Sequence, residues 1–188
     1  MKTGYIILAV VAVVAIGLVW QFFSIRNDFV GKRNAIQNDW AQVDNALQRR
    51  ADLIPNLVET VKGFATQEKE IFTNIANARS AMINAKTPAE KIGANSQLDG
   101  ALGRLLVVAE NYPQLKSNEN FLRLQDELAG TENRIAIERR KYNESVTIYN
   151  TAVETSPGNF VAPIAGFQRS NDYFKTEPAK RDVPAVKF

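Results

Sequence analysis

Cysteine and histidine are both absent from this 188-residue sequence, and each absence removes a body of chemistry. Without a thiol there is no disulfide, no lipoprotein attachment and no palmitoylation. Without imidazole the commonest general base and the commonest metal ligand are missing. Ser-His-Asp and Cys-His nucleophiles, zinc sites with Cys or His ligands, and Glu-x-x-His di-iron bundles are therefore excluded. A surplus of one charge is also lacking: with Lys2 set aside, 22 basic residues face 20 acidic ones. A nucleic-acid binder concentrates basic residues on one face, so this balance argues against nucleic acid. The sequence offers no catalytic residue, no cofactor-binding residue and no metal ligand, and we read it as a chain that is not an enzyme.

What is present begins with an uncharged run over residues 3–25. At roughly 1.5 Å per residue a helix over this run is about 34 Å long, enough to cross a hydrocarbon core of about 30 Å. Tyr5 stands near one end, and Trp20, Phe22 and Phe23 near the other, where amphipathic rings prefer the membrane interface. A cleavable signal peptide is the alternative, with Ala15-Ile16-Gly17 as the cleavage site, but Leu18-Val19-Trp20 continues the apolar run past it. The expectation is a retained single-pass anchor in the cell's inner (cytoplasmic) membrane. Lys2 and the α-amine flank one end, and Arg26, Lys32 and Arg33 the other. By a margin of one charge this favours a cytoplasmic domain. Facing anionic lipid, each of those three residues adds about 1 kcal/mol of attraction.

Between residues 29 and 155 the only prolines are Pro55, Pro88 and Pro113. Apolar residues there recur in steps of three and four, the helical period. The first stripe runs Ile36, Trp40, Val43, Leu47, Ala51, Ile54, Leu57, Val61, Phe64, Ile71, Ile75, Met82. It keeps its phase across Pro55, so one long kinked helix over residues 26–84 is expected, with two helices meeting at Pro55 as the alternative. Thr87-Pro88-Ala89-Glu90 reads as a capping box opening a helix that carries Leu98, Leu102, Leu105, Ala109 and Tyr112. Gly93, Gly100 and Gly103 within it each cost about 1 kcal/mol relative to alanine. Close approach of a neighbouring helix is the expected compensation, and a ligand contact is the alternative. Ser117 or Asn118 caps the next helix, with Phe121, Leu124, Leu128, Ile135, Tyr142, Val146, Tyr149 and Val153 on its stripe. Tyr142-Asn143 and Val146 repeat seven residues later as Tyr149-Asn150 and Val153, which reads as two heptads of core packing. Residues 160–167 are apolar and short, a small helix or loop lying across the bundle.

The run RRADLIPNLVETVKGFA, residues 49–65, resembles the signature of the LemA family. GALGRLLVVAENYPQLKSNENFLRLQDELAGTENRIA and YNESVTIYNTAVETSPGN resemble that family's second and third blocks. The similarity covers essentially the whole chain. It implies a membrane-anchored antiparallel helical bundle with no established catalytic activity. The family's genes often accompany a membrane metalloprotease or other envelope proteins, which implies a role in envelope upkeep. An unrelated sensor kinase has carried the same name, and nothing in this sequence resembles a kinase.

The fold expected is all-α: an antiparallel long-helix bundle, four-helix-bundle-like, preceded by one N-terminal transmembrane helix. Residues 1–25 form the anchor, residues 26–168 the bundle, and residues 169–188 an extended, mobile tail containing Pro178 and Pro184. Arg49, Arg50 and Asp52 precede Pro55. They either dock an acidic partner or satisfy backbone groups freed at the kink while pairing with carboxylates on facing helices. Glu138 falls on an apolar stripe among Glu132, Arg134, Arg139 and Arg140. An arginine on another helix is its expected partner, ahead of a shared divalent cation. The function expected is a non-enzymatic, self-associating scaffold or interaction protein of the cell envelope. A small-ligand or envelope-stress sensor, with a pocket near Gly100 and Gly103 and acting through a partner membrane protein, is the alternative.

Overall fold

The computed structural model describes residues 2–65 and 67–174. Among these the chain is all-α, with no strand, in six helices: α1 Lys2–Lys62, α2 Lys69–Asn84, α3 Pro88–Ala109, α4 Pro113–Lys116, α5 Glu119–Glu154 and α6 Gly158–Ala165. The described residues form two compact units. One comprises the chain up to Asp39 together with Tyr142–Asn171, and the other Trp40–Lys141 together with residues 172–174. Both α1 and α5 contribute to each unit.

The larger unit is a four-helix bundle of α1, α2, α3 and α5. Ala51 meets Arg79 and Lys62 stands over the Phe72 ring, so α1 and α2 run antiparallel. Asp44 pairs with Lys91 and Arg50 with Asn95 and Asp99, so α3 runs back parallel to α1. The stripe read from the sequence is the core: Val43, Leu47, Ile54, Leu57, Val61, Ile75, Leu98, Leu105, Phe121 and Ile135 are each almost completely buried. The first helix passes unbroken through Pro55, but it ends at Lys62 instead of continuing to residue 84. The break falls at Gly63, a poor helix former, where Phe64 and Ala65 both donate to the Val61 carbonyl. Ala65 is buried in this turn while Phe64 is exposed, and Phe72 takes up the core position instead.

At the start of α3 the capping box forms as expected. Glu90 N–H donates to Thr87 Oγ1 at 3.2 Å, and Glu90 Oε2 accepts from the Lys86 and Thr87 N–H groups at 2.8 and 3.1 Å. Those two backbone donors hold the Glu90 carboxyl below the usual carboxylate range. Asn118, not Ser117, caps α5, accepting from Phe121 N–H at 3.1 Å. The glycines of α3 are a correction. A Cβ built at Gly93, Gly100 or Gly103 meets nothing within 4 Å, so no neighbouring helix requires them to lack a side chain.

In the smaller unit, α5 runs antiparallel to α1, with Ser145 donating to Asp39 and Gly158 lying against Phe29. Phe29, Tyr149, Val153, Val161, Ala162 and Phe167 form its core, and Phe22, Ile25, Val30 and Ile36 pack against them. The Phe29 and Phe167 ring centroids are 5.2 Å apart. Burial raises the Tyr149 hydroxyl pKa against the opposing influence of Arg33, and that hydroxyl donates to the Gln168 carbonyl at 2.8 Å. Asn150 clasps Ser170 twice, donating to its carbonyl and accepting from its N–H at 2.8 and 2.9 Å. Gly166 closes α6 with φ 75°, a left-handed cap that glycine adopts without strain. The beginning of the expected mobile tail is therefore held in place: Phe174 is buried, stacks on Trp40 at 5.9 Å and lies under the Arg139 guanidinium. Residues 175–188 lie outside the described residues.

Upstream of Phe22 the α1 side chains stand clear of either core. Tyr5, Leu8, Val13, Ile16 and Trp20 are 69–76% exposed, and no residue of the most apolar stretch is buried. A continuous apolar surface of this size is stable only against lipid or another apolar surface. It is one helix long and apolar enough to span a membrane.

The glycines divide into two kinds with opposite expected responses to alanine. At Gly158 a Cβ would overlap the Ala152 carbonyl oxygen and lie 3.1 Å from Phe29 Cζ, so Gly158→Ala should cost about 1–3 kcal/mol. At Gly93 the space is open, and Gly93→Ala should stabilise by about 0.4–1 kcal/mol. Thermal melts of the full chain in detergent, followed by circular dichroism, measure both; a neutral Gly158→Ala would refute the packing assigned to it.

Candidate functional site

The densest polar constellation belongs to the larger unit and centres on Arg50. Only 7% of this residue is exposed, and its guanidinium reaches two other helices. Nη1 donates to Asn95 Oδ1 of α3 at 3.0 Å and lies 2.6 Å from Asp99 Oδ1 and 2.8 Å from Glu132 Oε2 of α5. Three acceptors crowd one nitrogen that carries two hydrogens. The two carboxylate oxygens sit out of line with its N–H bonds, so their attraction is coulombic, and Arg50 Nε finds no hydrogen-bond acceptor. Asn95 Nδ2 in turn donates to Asp99 Oδ2 at 3.1 Å. Asp99 and Glu132 remain 36% and 46% exposed, so both carboxylates keep part of their hydration.

The two readings of the cluster before Pro55 can now be separated residue by residue. Arg50 is a structural tie between helices, with carboxylates on facing helices as partners. Arg49 faces an open cleft beside Gln42, Glu127 and Arg134, and Asp52 accepts from Gln48 Nε2 at 3.0 Å. None of the three serves the backbone at the proline. Pro55 has no N–H to offer the carbonyl four residues before it, which is that of the buried Ala51. Arg79 of α2 supplies the donor, Nε to Ala51 O at 2.9 Å. Sequence reasoning missed Arg79 because the partner lies 28 residues away on another helix. The signal that would have found it is a half-buried arginine, between Ile75 and Met82, on an otherwise apolar face.

Glu138 is buried, 5% exposed, but its partners differ from the expected arginine on another helix. Lys141 Nζ lies 3.1 Å and Arg134 Nε 3.7 Å from its carboxylate, and both belong to α5 itself. Their long stems snorkel, bringing charge to a carboxylate whose backbone position is internal. Arg139 is turned instead to the Phe174 ring, at 4.6 Å. Among the described residues no three carboxylates gather as a metal site would require.

Two further clefts belong to this unit. One, about 430 Å³, is polar and lies between α2 and α3, lined by Asn74, Asn77, Ser96, Gln97, Gly100 and Arg104. Gly103 is not among its lining residues. The other, about 220 Å³, is mostly apolar, with Leu57, Leu102, Leu106 and Leu128 around the Arg50 and Glu132 pair.

Neither cleft contains a nucleophile paired with a base, so the arrangement is better compared by descent than by chemistry. The sequence matches the profile of the LemA family over residues 39–188, which takes in nearly all of the bundle. The chain belongs to the LemA family. Magnetosome protein MamQ 2 of Paramagnetospirillum magneticum is 29% identical over 186 residues, covering 85% of this chain and 68% of that protein. Magnetosome protein MamQ of Magnetospirillum gryphiswaldense is 28% identical with the same coverage. Protein LemA of Metamycoplasma hominis is 28% identical over 138 residues, covering 73% of this chain and 63% of its own length. The Arg50 cluster, Pro55 and Arg79 all lie within the family match, whereas residues 3–25 precede it. With one candidate membrane span among the described residues, this LemA-family chain is a membrane protein.

The Pro55–Arg79 assignment predicts a coupling. Arg79→Ala leaves a buried carbonyl without a donor and should cost about 1–3 kcal/mol. In a Pro55→Ala background the helix regains its own N–H, and the cost of losing Arg79 should shrink by about 1 kcal/mol or more. Equal costs in both backgrounds, measured by denaturant unfolding, would show that Arg79 does not serve this carbonyl.

Proposed function

We propose that this chain is a membrane-anchored, non-enzymatic helical scaffold or interaction protein of the cell envelope, and that it self-associates. The observation that carries the reading is how its functional groups are distributed. The polar side chains inside the bundle are engaged with one another or with backbone. What the larger unit offers outward is an apolar cleft between α1, α3 and α5, with Leu106 in its lining 42% exposed, and elsewhere on the same helices Val107 and Leu122 exposed at 69% and 45%. Anchoring in a membrane confines such surfaces to two dimensions and raises their effective concentration. The names borne by the relatives, MamQ and LemA, specify no reaction. We place the chain in the inner (cytoplasmic) membrane with its domain on the cytoplasmic side, from the basic residues Arg26, Lys32 and Arg33. The same cleft offers an apolar surface to an envelope membrane protein presenting an apolar helix as much as to a second copy.

Light scattering on the full chain in mild detergent tests the self-association. The expected protein mass exceeds that of one chain and falls toward it in Leu106→Glu, which places a charge at the cleft rim. A strict monomer at every accessible concentration would remove self-association from the proposal.

A second reading, a small-ligand sensor, is favoured by the polar cleft that Gly100 helps to keep open. A ligand bound only by the folded chain raises its melting temperature by mass action. A screen of polar metabolites should then yield at least one that raises the melting temperature of the native chain and not of Gly100→Leu; no shift across the panel sets this reading aside.

A further inference from the structure

The α6 helix is apolar on the wrong side for a helix that faces only its own core and water. Val161 and Ala162 are buried in the smaller unit's core and Ala165 is partly buried against it. The opposite face carries Phe160 and Ile164, one helical turn apart, 69% and 75% exposed. No charged residue occurs anywhere in residues 155–168. A helix bathed in water on its outer face normally sets charged or polar residues there.

The position of α6 within its unit supplies the missing partner. Gly158, at its start, lies against Phe29, and Val161 and Ala162 share a cluster against which Phe22 and Ile25 of α1 pack. Residue 25 is where the uncharged run of the anchor ends, and Phe29 is one turn, about 6 Å, beyond it. The α6 helix is therefore fastened to α1 at the level where α1 leaves the hydrocarbon. Basic residues lie beside this part of the unit: Arg26 follows the run and is exposed, Arg33 stands over the Phe167 ring at 5.3 Å, and Arg169 pairs with Glu154 at 3.1 Å. An apolar ridge with basic residues beside it is the pattern of helices that lie in the interface plane, buried about 5–10 Å into the headgroup boundary.

We propose that α6 is a second membrane contact, an interfacial helix that lays Phe160 and Ile164 into the lipid beside the exit of the α1 span. The occupant of this face is the bilayer in which α1 itself resides, so no further partner has to be recruited. The contact fixes the angle at which the smaller unit meets the membrane, which a lone spanning helix does not do. It rests on the anchor reading of residues 3–25.

The absence of cysteine makes the test clean. Single substitutions Phe160→Cys, Ile164→Cys, Val11→Cys within the span and Glu144→Cys on α5 are each spin-labelled in the full chain. The labelled chains are reconstituted in phosphatidylcholine–phosphatidylglycerol vesicles. Relaxation by oxygen, which partitions into lipid, is compared with relaxation by a water-soluble nickel chelate. Labels at 160 and 164 should favour oxygen several-fold relative to the label at 144, at a depth shallower than that at 11. If 160 and 164 behave like 144 while 11 is deep in lipid, the interfacial contact is overturned and the anchor stands. If 11 is also exposed to nickel, the anchor reading fails and the contact fails with it. Spin–spin broadening at 160 that disappears on dilution with unlabelled chain would identify a second copy as the occupant and overturn the lipid assignment.

Discussion

A guanidinium removed from water has to be met by acceptors, and in this protein that requirement sets how three helices meet. Arg50 lies on the buried side of α1, where its charge costs several kcal/mol unless compensated. The compensation comes from Asn95 and Asp99 on α3 and Glu132 on α5, which all converge on one nitrogen. Apolar stripes alone would permit neighbouring registers, because leucine packs against leucine with little preference. The ion cluster discriminates among them, since a slip by one turn leaves a buried charge unmet. Stability is not its main product: Asp99 and Glu132 are half-exposed, and Nε is left over. The cluster contributes a unique alignment.

Pro55 shows the same logic applied to the backbone. A proline inside a helix normally bends or ends it, and here the helix continues because a side chain from elsewhere takes over the lost donor. The pairing also explains why α2 lies where it does, with Arg79 opposite Ala51. The α1 helix instead yields eight residues further on at Gly63, where local propensity is weak and the turn can bury Ala65. The chain breaks where breaking is cheap.

The parts of this architecture that follow from a period were legible before any coordinates. The apolar steps of three and four marked Val43 through Val61 and Phe121 through Val153 as core, the Thr87–Glu90 box marked the start of α3, and the uncharged run marked the span. What was not legible depends on pairing at a distance. Nothing local distinguishes Arg50 from Arg49, yet one is buried among three acceptors and the other faces a cleft. Glu138 was recognisable as buried, but its partners follow from how far the stems of Arg134 and Lys141 bend, which a residue count does not record. The glycines of α3 misled because a missing side chain has two causes, crowding and indifference, and a sequence does not distinguish them. Phe167, Ser170 and Phe174 lack a period, so the sequence suggests loop and tail, yet they are held by a ring contact, a double hydrogen bond to Asn150 and a stack on Trp40.

The distribution of polar groups also bears on what such a protein can be for. Catalysis needs groups held ready but not already satisfied, because a charge fully matched by its own protein has nothing left for a transition state. In the larger unit the buried charges are matched internally, one arginine to acceptors on two helices, another to a carbonyl, a glutamate to two cations on its own helix. Apolar surface behaves differently. Phe160 and Ile164 in one unit, and Leu106, Val107 and Leu122 in the other, are exposed at a free-energy cost of roughly 25 cal/mol per Å² that only contact with something apolar recovers. On the function and the lipid contact proposed above, a fold that satisfies its charges inwardly and leaves its apolar groups outward would use them in association.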